Sequence, residues 1–117
     1  MFHKIIIVGR LGADPEQKYT VDGKAVTSFS VAAENRKDET LWFRVSAWEK
    51  LADVCGRYLK KGAKVLVEGT LRADGAGNPR VYERKDGLGW AASFEVVASS
   101  VKFLSGKDEP ADQEIAF

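Results

Sequence analysis

The sequence has little of the side chains that most often carry chemistry. It holds one cysteine, Cys55, and one histidine, His3. A lone cysteine cannot close a disulfide within the chain, which points to a reducing compartment. One thiol and one imidazole far apart cannot supply a usual zinc ligand set, so neither a metal nor a cofactor is expected. No apolar run approaches the ~20 residues that a membrane helix needs. The longest, residues 5–8, suits a strand. The first residues enter that run directly, without the layout of a signal or transit peptide, so a cytoplasmic location is expected. A phosphate loop of P-loop spacing and a nucleophile elbow are both missing. No carboxylates pair off as an acid/base couple, His3 reads as a surface or interface residue, and no enzyme is expected.

What is present suits one compact domain. The chain has 117 residues, 44% hydrophobic and 30% charged, which excludes wholesale disorder. The net charge of +1 hides a split: residues 1–107 carry all 18 Lys and Arg with 13 of the 17 acids, and residues 108–117 carry four acids and no base. A body of +5 followed by a tail of −4 suggests a polyanion as partner of the body and a separate task for the tail.

Residues 3–11 (HKIIIVGRL) read as a strand in which Lys4 and Arg10 share one parity and Gly9 marks a bulge or sharp bend. Asp14-Pro15 interrupts it, residues 17–21 form a short strand, and Asp22-Gly23 is a hairpin turn signal. Residues 25–33 make a second long strand and 34–40 a charged loop. Residues 41–48 alternate, with Leu41, Phe43, Val45 and Ala47 on one side and Trp42, Arg44, Ser46 and Trp48 on the other. Residues 49–61 predict the only substantial helix, with Leu51, Val54, Cys55, Tyr58 and Leu59 as its apolar stripe and Gly62 after its end. Residues 63–72 are a strand, 74–78 a glycine-rich turn, and 80–85 with 89–94 the arms of a long exposed hairpin. Residues 93–104 close the fold, and a switch of apolar parity between Val96 and Val101 predicts a bulge there. Residues 105–117 show no periodicity and are expected to be a disordered acidic tail.

Three strands, a helix and two strands is the order of an all-β, five-stranded Greek-key OB-fold barrel, here with a long hairpin between the last two strands. It would occupy residues 1–104. A split α+β sheet with one covering helix fits the same string less well.

A Trp-x-Arg-x-Ser-x-Trp row is no ordinary solvent face. Unpaired bases stack on aromatic rings whatever their identity, and phosphates are neutralised by Lys and Arg. One strand face offers both. Burial of the indoles in the core or at a subunit interface is the competing reading. Tyr82 and Trp90 lie on the hairpin among Arg80, Arg84 and Lys85, which suits either a second nucleic-acid contact or packing on a neighbouring subunit. Lys50, Lys60, Lys61 and Lys64 are either a basic patch or a solvated helix end. Ile115-Ala116-Phe117 behind four acids reads as a docking peptide for other proteins, or else as a solubilising end.

These residues carry a resemblance. The sequence is similar to the bacterial single-stranded DNA-binding proteins of the homotetrameric OB-fold family, almost continuously over residues 3–104. The carriers are residues 7–15 (IVGRLGADP), 42–45 (WFRV), 48–52 (WEKLA), 58–62 (YLKKG) and 67–72 (VEGTLR). The resemblance implies a tetramer around which single-stranded DNA wraps, and which protects the strand during replication, recombination and repair near the nucleoid. It places Trp42, Trp48 and Tyr82 at stacking positions and Lys4, Arg44, Lys50, Lys61 and Arg72 at basic positions along the DNA path. Arg10 stands where many members carry Asn, and its phosphate role is inferred from its charge. The tip Ile115, Ala116 and Phe117 would dock replication and repair proteins. Three departures stand beside these matches: one stacking tryptophan of some members has no counterpart near Arg36-Lys37-Asp38, Trp90 is unassigned, and the linker before the tail is short. The alternative function is an OB-fold module for RNA, or a protein-interaction adaptor of the primosome type.

Overall fold

Period-two alternation sorts each long strand into an inner and an outer row in a computed structural model that describes residues 1–104. The tail expectations, including Ile115, Ala116 and Phe117, fall outside the described residues. In chain order the elements are β1 (Ile5–Leu11), β2 (Glu16–Tyr19), β3 (Ala25–Glu34), β4 (Thr40–Trp48), α1 (Lys50–Tyr58), β5 (Lys64–Leu71), β6 (Val81–Glu83), β7 (Trp90–Ala92) and β8 (Phe94–Phe103). The buried row runs through Phe29, Val31, Phe43, Val45, Val65, Val67 and Val96. These are the bulky β-branched and aromatic residues that suit a pleated surface.

The neighbours run β1, β5, β8, β4, β3, and β1 pairs with β3 again, so five strands close into a barrel with β2 added outside β3. All pairings are antiparallel except β4 with β8. This is the OB-type barrel that the element order implied. Closure requires β1 to serve two partners: residues 5–10 pair with β5, and Arg10 and Leu11 pair with Ala32 and Val31 of β3. Gly9 sits where the strand changes partner. A Cβ there would lie 2.2 Å from the Ala32 carbonyl oxygen, so only glycine fits. The expected bulge in the last strand is Ser99. Glu68 pairs with Ser100 and Gly69 with Ala98, leaving Ser99 over, and its hydroxyl donates to the Glu68 carbonyl at 3.1 Å.

The helix is shorter than its periodicity suggested. It ends at Tyr58, and Leu59 is extended with its side chain in the core. The apolar stripe is also rotated: Ala52 and Cys55 are buried, whereas Val54 and Tyr58 are exposed. The reason is contact. The helix packs on β3 and β4 through its small residues, and the buried Thr27 hydroxyl ties it down by donating to the Ala52 carbonyl at 2.6 Å. Burial pushes the Cys55 thiol up to about 11, so it behaves as a small apolar group. Among the described residues no helix is long and apolar enough to cross a membrane.

Residues 80–94 form the expected arm, but only three residues of each side pair, as a separate two-stranded sheet. Its approach is set by the Asp74 carboxylate, which accepts the N–H groups of Ala76 and Asn78 at 2.8 and 2.9 Å. Those bonds, Asn78 first, hold its carboxyl below the usual range.

Candidate nucleic-acid interface

The site grows from the pleat of β4. Phe43, Val45 and Ala47 are sealed in the core, so Trp42, Arg44, Ser46 and Trp48 must point out. Trp42 is 53% exposed and Trp48 40%. The partners of the large side chains across β3 are smaller: Ala32 faces Trp42, Ser30 faces Arg44 and Val26 faces Trp48, while Ser28 faces Ser46. The two indoles and the guanidinium therefore stand above their neighbours instead of packing into them. Reading the indoles as core residues is excluded for the single chain.

Gly12 sets the position of Trp42. A Cβ on Gly12 would fall 2.5 and 2.7 Å from two atoms at the far edge of the indole. The ring thus lies against the bare backbone of the segment after β1. Gly12→Ala pushes that edge away while leaving the core alone. We expect a near-unchanged melting temperature and a loss of about 1 kcal/mol in poly(dT) affinity, one stacking contact's worth. Fluorescence titration beside thermal unfolding checks both halves.

The hairpin brings the second wall. On the β6–β7 ribbon Tyr82 opposes Ala91, while Glu83 opposes Trp90 on the next rung. Successive rungs face opposite sides. Tyr82 joins Trp42, Arg44, Arg80, Ser93 and Glu95 around a cleft of about 400 Å³. Trp90 is 69% exposed and belongs to the ribbon's other face. The Tyr82 hydroxyl lies 3.0 Å from the Ser93 hydroxyl, which fixes the ring on that side. A second cleft of about 380 Å³, more apolar, lies between Trp42, Leu41, Pro79, Ala92 and Phe94.

The cations named from sequence are distributed unevenly. Arg44 lies in the cleft and makes no ion pair or side-chain hydrogen bond among the described residues. Arg72 approaches the carboxylate of Glu95 at 3.6 Å, and Arg80 approaches the same oxygen at 3.0 Å. Lys50 is exposed as the first residue of α1, beyond the end of β4, so the alternation of the strand does not place it on that row. Lys61 is exposed in the turn after the helix, where its backbone N–H donates to Asp14 at 2.8 Å. Lys4 pairs with Glu68 at 3.6 Å, and the Arg10 guanidinium donates to the Gly62 carbonyl at 2.9 Å. Arg10 sits on β1 and Lys4 just before it, and β3 separates β1 from β4 on one side and β5 with β8 on the other. The structure thus gathers Trp42, Arg44 and Tyr82 in one cleft with Arg72 held by its Glu95, extends the row to Trp48, and leaves Lys50, Lys4, Arg10 and Lys61 outside the cleft.

Three contributors escaped the sequence reading. Gly12 had no mark except its place in the GRLG run. Ser93 was read only as the start of a strand. Glu95 is an acid in a basic cleft, brought there by its register opposite Arg44 across β4 and β8 and by its ion pairs with Arg72 and Arg80. His3 is accounted for: its Nε2 accepts the Leu71 N–H at 2.9 Å, which clips the N-terminal segment to the end of β5.

An exposed aromatic and basic cleft on an OB-type barrel can now be set beside known proteins. A relative from Neisseria meningitidis serogroup A, named single-stranded DNA-binding protein, is 38% identical over 115 residues, covering 92% of this chain and 62% of its own length. One of the same name from Xanthomonas campestris is 38% identical, covering 92% and 63%. Single-stranded DNA-binding protein 1 of Chlorobaculum tepidum is 33% identical, covering 91% and 67%. The chain therefore spans less than two thirds of the Neisseria and Xanthomonas relatives. The model of the "Single-strand binding protein family" matches residues 2–104, from the first strand to the end of the barrel. With the match covering the barrel, the outward tryptophan row and the arm alike, this chain belongs to the single-strand binding protein family.

Proposed function

We propose that the chain binds single-stranded DNA without reading its sequence and protects it during replication, recombination and repair. The carrying observation is Trp42 and Tyr82 on two separate elements of one cleft, with Arg44, two residues along β4 from Trp42 and unpaired among the described residues, lining the same cleft. A base enters between the rings and the adjacent phosphate meets the guanidinium. Rings accept any base, so affinity does not depend on sequence. Trp48 takes the strand further along the β4 row, and Lys50, at the start of α1, meets a phosphate beyond it. Arg72 borders the cleft, and Lys4, Arg10 and Lys61 supply phosphate contacts where the strand leaves it and passes around the barrel.

A homotetramer fits the reading. Ile6 is exposed on the outer row of β1, followed on that row by Val8, which faces Leu66 of β5. Such an apolar strip on a sheet face is suited to a second copy. The acidic segment ending in Ile115, Ala116 and Phe117 is assigned to the docking of repair and replication proteins, its negative charge keeping it off a partner's own DNA. Relatives that bear the name single-stranded DNA-binding protein supply the choice of DNA as the ligand.

Poly(dT) titration tests the function. Stacking of bases on Trp42 and Trp48 quenches the intrinsic tryptophan emission strongly, and added salt reverses it. An adaptor that binds only proteins shows no change in emission. A binder of RNA responds to poly(U) at much lower concentration than to poly(dT).

A further inference from the structure

Glu95 is an anomaly in a cleft built for a polyanion. Its side chain is 14% exposed, and one of its carboxylate oxygens takes both the Arg72 guanidinium at 3.6 Å and the Arg80 guanidinium at 3.0 Å. Arg72 follows the end of β5 and Arg80 precedes β6, so these two cations mark the two sides of the loop that leads out to the arm. The backbone adds a third tie, since the Arg72 N–H donates to the Glu95 carbonyl at 2.8 Å. Arg44 is the register neighbour of Glu95 across β4 and β8, yet it makes no ion pair with it.

We infer that Glu95 is a positioning residue with two linked effects on binding. It ties the arm to the barrel, so Tyr82 is held over the cleft. It also occupies Arg72 and Arg80, so in the bound state a phosphate must displace a carboxylate to reach either. Arg44 is then the cation in the cleft that a phosphate meets without competition. The counterions released on binding are those condensed on the strand, one share for each phosphate neutralised; an arginine that stays on Glu95 neutralises none, whereas Arg44 neutralises one. Binding at this cleft therefore leans on stacking more than on charge and loses less to salt than three arginines would suggest. The inference rests on the reading of the cleft as a path for single-stranded nucleic acid and adds to it a residue that contacts the cations rather than the strand.

The test is the slope of log K against log salt concentration for poly(dT), measured on the full chain. Glu95→Gln keeps the shape and removes the charge. It is expected to steepen the slope by about 0.7 to 1.4, the share of one or two added phosphate contacts on a single strand. Its line should cross that of the unaltered protein, tighter at low salt and weaker at high salt, where the loosened arm no longer holds Tyr82. In that background Tyr82→Ala should cost little, although alone it should lower affinity several-fold. Arg80→Gln provides a second route: it loosens the arm and lowers affinity like Tyr82→Ala, with the slope unchanged. Glu83→Gln is the control, because that carboxylate sits on the arm's other face beside Trp90. Parallel lines for Glu95→Gln and the unaltered protein would overturn the inference, and so would equal steepening by Glu83→Gln. Failure of the unaltered protein to bind poly(dT) at all would instead bring down the reading of the cleft itself, and this inference with it.

Discussion

Replacing Trp42 and Trp48 together by alanine is expected to weaken poly(dT) binding by about 2–6 kcal/mol. Each base stacked on an aromatic ring contributes roughly 1–3 kcal/mol. The two residues lie six positions apart on one strand, which at ~3.3 Å per residue places them ~20 Å from each other. Substitutions that far apart usually add, so the sum is the right expectation. Folding should survive, because both indoles point out of the barrel and neither belongs to its core. Circular dichroism and light scattering establish that the variant is intact, and titration then gives the loss. An intact variant with unchanged affinity would remove both residues from the site. Single substitutions should split the loss, with Trp42 contributing more because Tyr82 shares its cleft.

The opposite pattern is expected inside the barrel. Phe29→Ala should lower stability by about 3–5 kcal/mol, the usual range for emptying a buried phenylalanine site. Phe29 is 2% exposed, faces Val45 across the β3–β4 ladder, and lies in the core with Val31, Val65 and Val67. Strands that close on each other cannot collapse into the void without breaking their register, so the upper part of the range applies. Domains of this size rest on about 5–15 kcal/mol in total, and the loss is a large fraction of it. Urea unfolding followed by far-ultraviolet dichroism measures it. At concentrations where the variant stays folded, its poly(dT) affinity should match that of the unaltered protein. A loss below 1 kcal/mol would mean that the β3 interior is not packed as described. The two experiments together separate the faces of the sheet: one row carries binding and the other carries the fold.

That separation was legible because it is local. In β4, each Cβ points opposite to the next whatever the rest of the chain does, so the presence of Phe43, Val45 and Ala47 on one parity forces Trp42, Arg44 and Trp48 onto the other. The same rule fixed the parity switch that became the Ser99 bulge. The helix was read less well. A periodicity of apolar residues counts Val54 and Tyr58 as equals of Cys55 and passes over Ala52, but contact with β3 and β4 buries the small Ala52 and Cys55 and leaves Val54 and Tyr58 outside. The cations were the hardest group to place. Arg44, Arg72, Lys4 and Arg10 all look alike as charges in a string, and nothing near them in the chain says which will meet a carboxylate.

The amino-acid order alone thus set the class of fold, the inward and outward rows of each strand, and the aromatic and basic character of the outward row on β4. These follow from backbone geometry over a few consecutive residues. The folded chain had to supply the rest: the seat of Trp42 against Gly12, the meeting of Tyr82 with Trp42, and the capture of Arg72 and Arg80 by Glu95. Those contacts join residues 15 to 40 positions apart, and they exist only because hydrogen-bonded pairing of distant strands closes the barrel and leads the arm back across it.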